Sequence, residues 1–204
     1  MVAKRRHKFA KFARRHIAVA IAVAVAVAVA IMTLALIAAA FMGSLYNCDD
    51  IPEEAQPSVK VGNEYVWRGT RVPYAVAHNV PNITVSWRDA KPAYYSVAMV
   101  DPDAPSAAAP KYREIRHWLV VNVAGADLIG GNLEASGETL SKFVNPSPPK
   151  GSGYHRYVQL VYGQIGKKTF APVSPSIAKF NVSAWSAKEA LSLVACNYFE
   201  TEQE

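Results

Sequence analysis

The feature that most constrains this chain is an apolar run of 26 residues, from position 17 to position 42, in which Thr33 is the only polar side chain. Strands of globular proteins do not extend this far without a turn, and buried core helices are seldom this long. In lipid a helix satisfies every backbone group, and at about 1.5 Å per residue this one crosses a hydrocarbon core of about 30 Å. The run therefore predicts one transmembrane helix at residues 17–42.

The charges on either side of the run predict its orientation. Seven of the 22 Lys and Arg residues lie in the first 16 positions, and four acidic residues follow the run between positions 49 and 54. Because the positive end stays in the cytosol, we expect a basic cytosolic tail at residues 1–16, an uncleaved signal-anchor and a luminal or extracellular domain. The alternative is a signal peptide cleaved near residues 38–40, which gives a secreted protein. A transit peptide fits less well, since such peptides are amphipathic.

The rest of the chain carries no excess of positive charge. After the basic tail, 15 basic residues face 16 acidic ones. A protein that binds a nucleic-acid backbone needs a surface on which basic residues cluster, so we expect no nucleic-acid partner.

From about residue 59 the composition is typical of a mainly β domain. All 13 prolines follow position 50 and separate short segments rich in Val, Ile, Tyr and Trp. The sequence predicts strands at residues 82–87, 94–101, 114–123 and 157–162, with a short one at 169–172. Long ordered loops are expected at residues 102–113, 125–140 and 145–155.

A helix is expected at residues 183–194, where Ser183 can cap a segment with an apolar stripe of Trp185, Leu191 and Val194. Strands followed by a helix predict an antiparallel two-sheet sandwich with a short C-terminal helix. This domain, residues 59–204, would be joined to the transmembrane helix by a linker at residues 43–58.

Two further features are compatible with a translocated domain. Asn82 and Asn181 each begin an acceptor triplet for N-linked glycans. Cys48 and Cys196 can form a disulfide in an oxidising compartment, or can remain two unpaired thiols.

Two histidines lie in predicted strands and carry the candidate chemistry. Alternation places His117 among aliphatic residues, on the face opposite Trp118, and places His155 and Tyr157 on one face of the next strand. A third strand ends at Asp101. Two imidazoles, a carboxylate and a phenol can bind a small anion.

Other chemistries lack a matching pattern. We expect no metal site, since the H-x-H, H-E-x-x-H and Cys–His spacings are absent. The segment around Ser152 lacks the G-x-S-x-G spacing of a hydrolase elbow, and there is no phosphate-binding or dinucleotide-binding glycine motif. These absences favour a binding pocket without a cofactor over an enzyme.

Four motifs in this region occur in a recognisable order. They are Asp101-Pro-Asp-Ala-Pro-Ser106, then Tyr112-Arg-Glu114 leading to His117-Trp-Leu-Val-Val-Asn122, then Pro148-Pro-Lys-Gly-Ser-Gly-Tyr-His-Arg-Tyr157, and Leu160-Val-Tyr162. With them, residues 59–204 resemble the phosphatidylethanolamine-binding proteins, a family that includes the Raf kinase inhibitor protein and the plant flowering-time proteins.

The resemblance implies two antiparallel sheets and a shallow pocket for phosphate, phosphorylethanolamine or a similar anion. It implies a cis peptide bond between Ala104 and Pro105. The pocket residues it implies are Asp101, His117, His155 and Tyr157, surrounded by Ala104, Pro105, Tyr112, Pro148 and Pro149.

We therefore expect a non-enzymatic binding protein for anionic headgroups, held at a membrane by residues 17–42 or secreted. The alternative is an inhibitor of a luminal or extracellular serine protease, or another regulator of an enzyme, because the family also includes inhibitors. A hydrolase built on His117, His155 and Asp101 is a third alternative.

Overall fold

The computed structural model describes Cys48 and residues 51–79, 83–91 and 93–204. The predicted tail at 1–16, the predicted transmembrane helix at 17–42 and Asn82 lie outside these residues. Within them, no helix combines the length and the apolar character needed to cross a bilayer.

The described residues form a mainly β domain with three short helices. The strands are β1 (Ser58–Val61), β2 (Glu64–Val66), β3 (Thr70–Arg71), β4 (Ile83–Ser86), β5 (Tyr94–Asp101), β6 (Ile115–Ala124), β7 (Glu138–Ser141), β8 (His155–Gln164) and β9 (Ser192–Thr201). The helices are α1 (Tyr74–Asn79), α2 (Gly125–Gly130) and α3 (Val182–Lys188), and 3-10 turns occupy Glu53–Ala55 and Leu133–Ala135.

The strands form two sheets that share one core. The small sheet has the order β2-β1-β4, and the large sheet has the order β3-β9-β8-β5-β6-β7. All pairs are antiparallel except β3 with β9. Buried side chains of both sheets pack together, among them Val59 and Ile83 from the small sheet and Met99, Val161 and Phe199 from the large one. This is the predicted two-sheet arrangement.

Strand prediction succeeded where the pattern was strongest. The strand expected at 94–101 is β5, and those expected at 82–87, 114–123 and 157–162 correspond to β4, β6 and β8 within three residues at each end. The short strand expected at 169–172 is wrong, since these residues are irregular. The loop expected at 125–140 instead contains α2, a 3-10 turn and the start of β7.

The helix expected at residues 183–194 is wrong in its second half. Asn181, not Ser183, caps α3, because its Oδ1 accepts the Ala184 amide at 2.8 Å. The helix ends at Lys188, and Ala190 adopts a left-handed conformation with φ 54°. The chain then enters β9, which pairs along β8 and ends the domain with a strand. Pairing with β8 outweighs the local helical pattern, as tertiary context commonly does.

A β-bulge in β6 decides where His117 points. The register between β5 and β6 shifts after Met99, which leaves His117 as an extra residue. Strict alternation predicted His117 and Trp118 on opposite faces. In the structure Trp118 belongs to the shared core, and the ring of His117 contacts Tyr157 of the same core.

Buried polar groups at the start of β6 hold the segment that precedes α3. The Arg116 Nη2 group donates to the Ser174 carbonyl at 2.7 Å. The Glu114 Oε2 atom accepts the Val182 amide at 2.9 Å, and the Glu114 carbonyl accepts the Phe180 amide. Burial raises the pKa of Glu114 to about 7.

A disulfide joins Cys48 to Cys196 of β9, with the two Cα atoms 5.3 Å apart. Of the two alternatives for these cysteines, the structure has the bonded one. The crosslink spans a sequence separation of 148 residues.

Candidate functional site

Three adjacent strands of the large sheet bring the predicted pocket residues together. Asp101 ends β5, which lies between β6 and β8 in the sheet. His117 is in β6, while His155 and Tyr157 begin β8. All four side chains are buried. The juxtaposition follows from the strand order, because the end of β5 lies beside the start of both neighbours.

Asp101 and His155 form a buried pair. The Asp101 Oδ2 atom lies 2.8 Å from the His155 Nδ1 atom, and Asp101 Oδ1 accepts the Asp103 amide at 2.7 Å. Burial acts to lower the pKa of His155, but the hydrogen bond and the charge of Asp101 outweigh it, so the net pKa is raised. The imidazolium form of His155 is therefore favoured.

The second ring nitrogen of His155 contacts a residue that sequence reasoning dismissed. His155 Nε2 lies 3.0 Å from the Ser152 Oγ atom, and that hydroxyl donates to the Pro149 carbonyl at 2.6 Å. The Gly151-Ser152-Gly153 segment has no hydrolase motif. A Ser three residues before a strand His gave no signal of this contact.

The pKa of His117 is shifted in the opposite direction to that of His155. Its Nδ1 group lies 2.8 Å from the Val144 carbonyl and donates to it, which leaves Nε2 as an acceptor in the neutral ring. Burial lowers the pKa of His117, although the bond to Val144 and the charge of Asp101 oppose the shift. His117 is thus neutral at pH 7, and it can act as a donor to an anion only after taking up a proton.

Tyr157 brings a buried hydroxyl to the same place. Its ring stacks on Phe199, with centroids 5.4 Å apart. Within the described residues its hydroxyl makes no hydrogen bond of normal geometry. Burial and the charge of Asp101 strongly raise the pKa of Tyr157, against the opposing effect of the nearby Ser147 backbone, so the group is a neutral donor. A buried hydroxyl without a partner costs folding free energy, and a bound ligand can supply that partner.

The remaining predicted pocket residues fall into two groups. Ala104 and Pro148 are buried, and Pro105, after a cis peptide bond from Ala104 that confirms the expectation, is half-buried. Pro149 is exposed, and Tyr112 is 44% exposed. Tyr112 holds the loop through its backbone amide, which donates to the Ala104 carbonyl.

An ion pair between the buried Asp103 and the half-exposed Arg156 was missed by sequence reasoning. Asp103 accepts from the Arg156 side chain at 2.9 and 2.7 Å and from the Arg156 amide at 2.9 Å. Burial acts to raise the pKa of Asp103, but these bonds and the Arg156 charge outweigh it, so the net pKa is lowered. The pair locks the loop after β5 to the start of β8, and thereby fixes Asp101 relative to His155.

An open cavity of about 490 Å³ lies beside the site but is not formed by it. Its lining includes Tyr154, which precedes His155, together with Arg71, Tyr74, Glu202 and Glu204. None of the predicted pocket residues lines it. In the part of the chain that the structure describes, no group of three or more His, Cys, Asp or Glu side chains has an arrangement suited to a metal ion.

Comparison with known proteins identifies relatives that share this fold. The chain is 32% identical to the protein in the CG7054 solution structure, covering 76% of this chain and 88% of that one, with a TM-score of 0.61. A carboxypeptidase Y inhibitor in complex with its cognate proteinase is 24% identical, with coverage of 72% and 83% and a TM-score of 0.60.

A phosphatidylethanolamine-binding protein from Plasmodium vivax is 23% identical, with coverage of 72% and 85% and a TM-score of 0.57. At these lower identities the likeness shows the fold. The family model described as phosphatidylethanolamine-binding protein matches residues 57–199, which is most of the domain. The chain therefore belongs to the phosphatidylethanolamine-binding protein family.

Proposed function

We propose that this chain is a non-enzymatic binding protein whose pocket takes phosphate or phosphorylethanolamine-type headgroups. The observation that carries the proposal is the buried Tyr157 hydroxyl, which makes no hydrogen bond of normal geometry within the described residues and lies beside His117. A phosphate oxygen accepts from a phenol and from a protonated imidazole. Asp101 supplies the negative charge that an ethanolamine ammonium requires.

Calorimetric titration of the full-length chain with phosphorylethanolamine tests this proposal. We expect saturable binding that His117→Ala weakens by about 1–3 kcal/mol, the usual cost of deleting a charge-assisted partner. The matched control is His78→Ala, because His78 lies on α1 and is not one of the predicted pocket residues. Equal affinity in wild type and His117→Ala would show that His117 does not contact the ligand. Parallel titrations with inorganic phosphate and with ethanolamine identify which end of the headgroup is recognised.

The second candidate function is inhibition of a luminal or extracellular serine protease. Its support is the shared fold with the carboxypeptidase Y inhibitor. Adding the purified chain to carboxypeptidase Y and following peptide hydrolysis tests it. An unchanged rate at a large molar excess of the chain would argue against inhibition of that enzyme class.

We further propose that residues 17–42 anchor the protein in a membrane, with the domain on the luminal or extracellular side. The disulfide between Cys48 and Cys196 supports an oxidising compartment. Asn181 is exposed, and its capping role uses only Oδ1, which leaves Nδ2 for a glycan.

Expression in a eukaryotic secretory system tests the topology. We expect glycosidase treatment to increase gel mobility, and Asn82→Gln with Asn181→Gln to abolish that change. A mature N-terminus near residue 41 would favour signal cleavage and secretion over the anchor. A domain without glycans that protease cannot reach on intact cells would overturn the orientation.

A further inference from the structure

Asp101, His155 and Ser152 form a continuous hydrogen-bonded chain that leads from the pocket to the glycine-rich loop. Asp101 Oδ2 bonds His155 Nδ1 at 2.8 Å, and His155 Nε2 lies 3.0 Å from Ser152 Oγ. A buried carboxylate, an imidazole and a hydroxyl in this order are the parts that activate a serine in acyl-transfer enzymes. Ser152 is not among the predicted pocket residues.

Two changes in proton position would make Ser152 a nucleophile: His155 must lose its Nε2 proton, and the Ser152 hydroxyl must turn toward that nitrogen. In the resting arrangement the hydroxyl donates to the Pro149 carbonyl, and His155 Nε2 faces the lone pairs of Ser152 Oγ. The favoured imidazolium form of His155 donates from Nε2 to that oxygen. Once the ring has released this proton to solvent at higher pH, Asp101 keeps the remaining proton on Nδ1, and the neutral ring presents its lone pair at Nε2 to Ser152. Rotation about the Cβ–Oγ bond of Ser152 then directs the hydroxyl hydrogen at Nε2, and no heavy atom moves.

The loop that carries Ser152 is open on its outer side. Gly151 and Gly153 adopt left-handed conformations with φ 72° and 79°, which favour glycine, and a Cβ atom at either position would meet no atom within 4 Å. Ser152 itself is half-buried. Within the described residues the amides of Gly153 and Tyr154 make no backbone hydrogen bond.

We propose that Ser152 is a reactive nucleophile that accepts an acyl group from an activated ester. The Ser152 Oγ atom bonds to the ester carbonyl carbon as its proton passes to His155 Nε2. The bond from that carbon to the leaving oxygen then breaks, and the departing oxygen keeps the electron pair and takes the proton from Nε2. The products are acyl-Ser152 and a free alcohol, and Asp101 acts as a positioning residue.

The chain contains an internal control for this proposal. Ser147 lies in the same proline-rich loop, and its Oγ atom is 3.1 Å from the His78 Nδ1 atom. His78 also contacts the Pro146 carbonyl, but within the described residues it bonds no carboxylate. The two Ser–His pairs therefore differ in two ways. Only His155 bonds a carboxylate, and the ring nitrogen that faces the serine is Nε2 in His155 but Nδ1 in His78.

The experiment treats the full-length chain with p-nitrophenyl acetate and follows p-nitrophenolate release and intact mass. We expect a burst of about one equivalent, with one acetyl group on the peptide that contains Ser152. Ser152→Ala should abolish the burst, and Ser147→Ala should retain it. Asp101→Asn should slow acylation by about 100-fold or more, the lower end of what a positioned general base contributes.

Three results would overturn the proposal. They are an equal burst in Ser152→Ala, acetylation that persists when the chain is unfolded in urea, and an unchanged rate in a folded Asp101→Asn variant. If Asp101→Asn does not fold, the comparison of Ser152→Ala with Ser147→Ala decides the outcome alone.

Discussion

The ring of His117 packs edge-on against the ring of Tyr157, with centroids 5.1 Å apart and planes 74° apart. Tyr157 in turn stacks on Phe199, so aromatic contacts from β6 and β9 hold the phenol of β8 in place. These contacts fix the hydroxyl, so a ligand that accepted its hydrogen bond would not have to order the side chain.

Removal of this hydroxyl should separate ligand binding from stability. Tyr157→Phe should weaken phosphorylethanolamine binding by about 1 kcal/mol, or roughly fivefold, because one donor is lost. The free energy of unfolding should stay constant or rise, since the buried hydroxyl has no partner of normal geometry to lose. Calorimetry and urea unfolding measure the two effects, with exposed Tyr65→Phe as the control. Lower stability with unchanged affinity would contradict the assignment.

Phosphate binding should be coupled to proton uptake at His117. The pKa of free His117 lies below its usual 6.5, and a bound phosphate raises it by favouring the charged ring. At pH values between the pKa of His117 in the free protein and its pKa in the complex, the affinity for phosphate therefore falls as pH rises. Titrations from pH 5 to 8, in buffers of different ionisation enthalpy, measure the slope and the proton uptake. His117→Ala should flatten the slope, and an equally steep dependence in that variant would assign the proton to another group.

The ion pair of Asp103 with Arg156 should contribute to stability above acidic pH. Asp103→Asn removes a charge-assisted pair, and because the Arg156 side chain is 41% exposed we expect a loss of about 1–2 kcal/mol at pH 7. The pKa of folded Asp103 is below 3.8, so its stabilisation is present above that value and is lost as pH falls through the folded pKa. Urea unfolding of wild type and Asp103→Asn at pH 7 and pH 3 tests this. A larger difference in unfolding free energy between the two proteins at pH 3 than at pH 7 would be inconsistent with the ion pair.

Glu114 should make the domain less stable as pH rises from about 4.5 to 7. Its folded pKa, about 7, exceeds its ordinary 4.5, so the folded state holds a proton that the unfolded chain has released. The resulting loss is on the order of 3 kcal/mol and is complete above pH 7. Glu114→Gln keeps an acceptor for the Val182 amide and should remove this part of the pH dependence. Thermal unfolding of wild type and Glu114→Gln across pH 4–8 measures this dependence. If the stability of the two proteins changes with pH in the same way, Glu114 is not its source.

The disulfide should be a large contributor to stability. A crosslink across a separation of 148 residues is worth about 5 kcal/mol by chain entropy alone, and natural disulfides typically give 2–5 kcal/mol. Cys48→Ser with Cys196→Ser should lower the free energy of unfolding by that amount while leaving the pocket intact. Urea unfolding of the oxidised and double-Ser chains provides the test, and identical midpoints would show that the crosslink contributes nothing.

Sequence reasoning named candidate residues that the fold brings together, because these residues lie at the ends of strongly patterned strands. Alternation in β8 correctly placed His155 and Tyr157 on one face, and the strand ending at Asp101 was predicted at both ends. The neighbours of these residues depend on strand order, which local patterns do not encode. The bond between Asp103 and Arg156 therefore had no local signal, since it joins residues 53 positions apart.

The misplaced elements have physical causes of the same kind. The bulge at His117 arises from the register between two strands, while alternation assumes an unbroken strand. The segment after Lys188 has a helical pattern, yet it lies beside β8 and pairs with it as β9. Ser152 was set aside because it lacks a hydrolase motif, whereas its contact with His155 is a product of the loop geometry.

The link between Cys48 and Cys196 also determines how the domain responds to force. When a pull is applied between the chain before residue 48 and the C-terminus, the load passes through the two sulfur atoms and along the last residues of β9. Residues 49 to 195 lie inside the covalent loop and therefore outside the covalent path that carries the load, which reaches them only through the pairing of β9 with β8. The small sheet of β1, β2 and β4, which the pull would otherwise reach first, is mechanically shielded for as long as the bond stays oxidised.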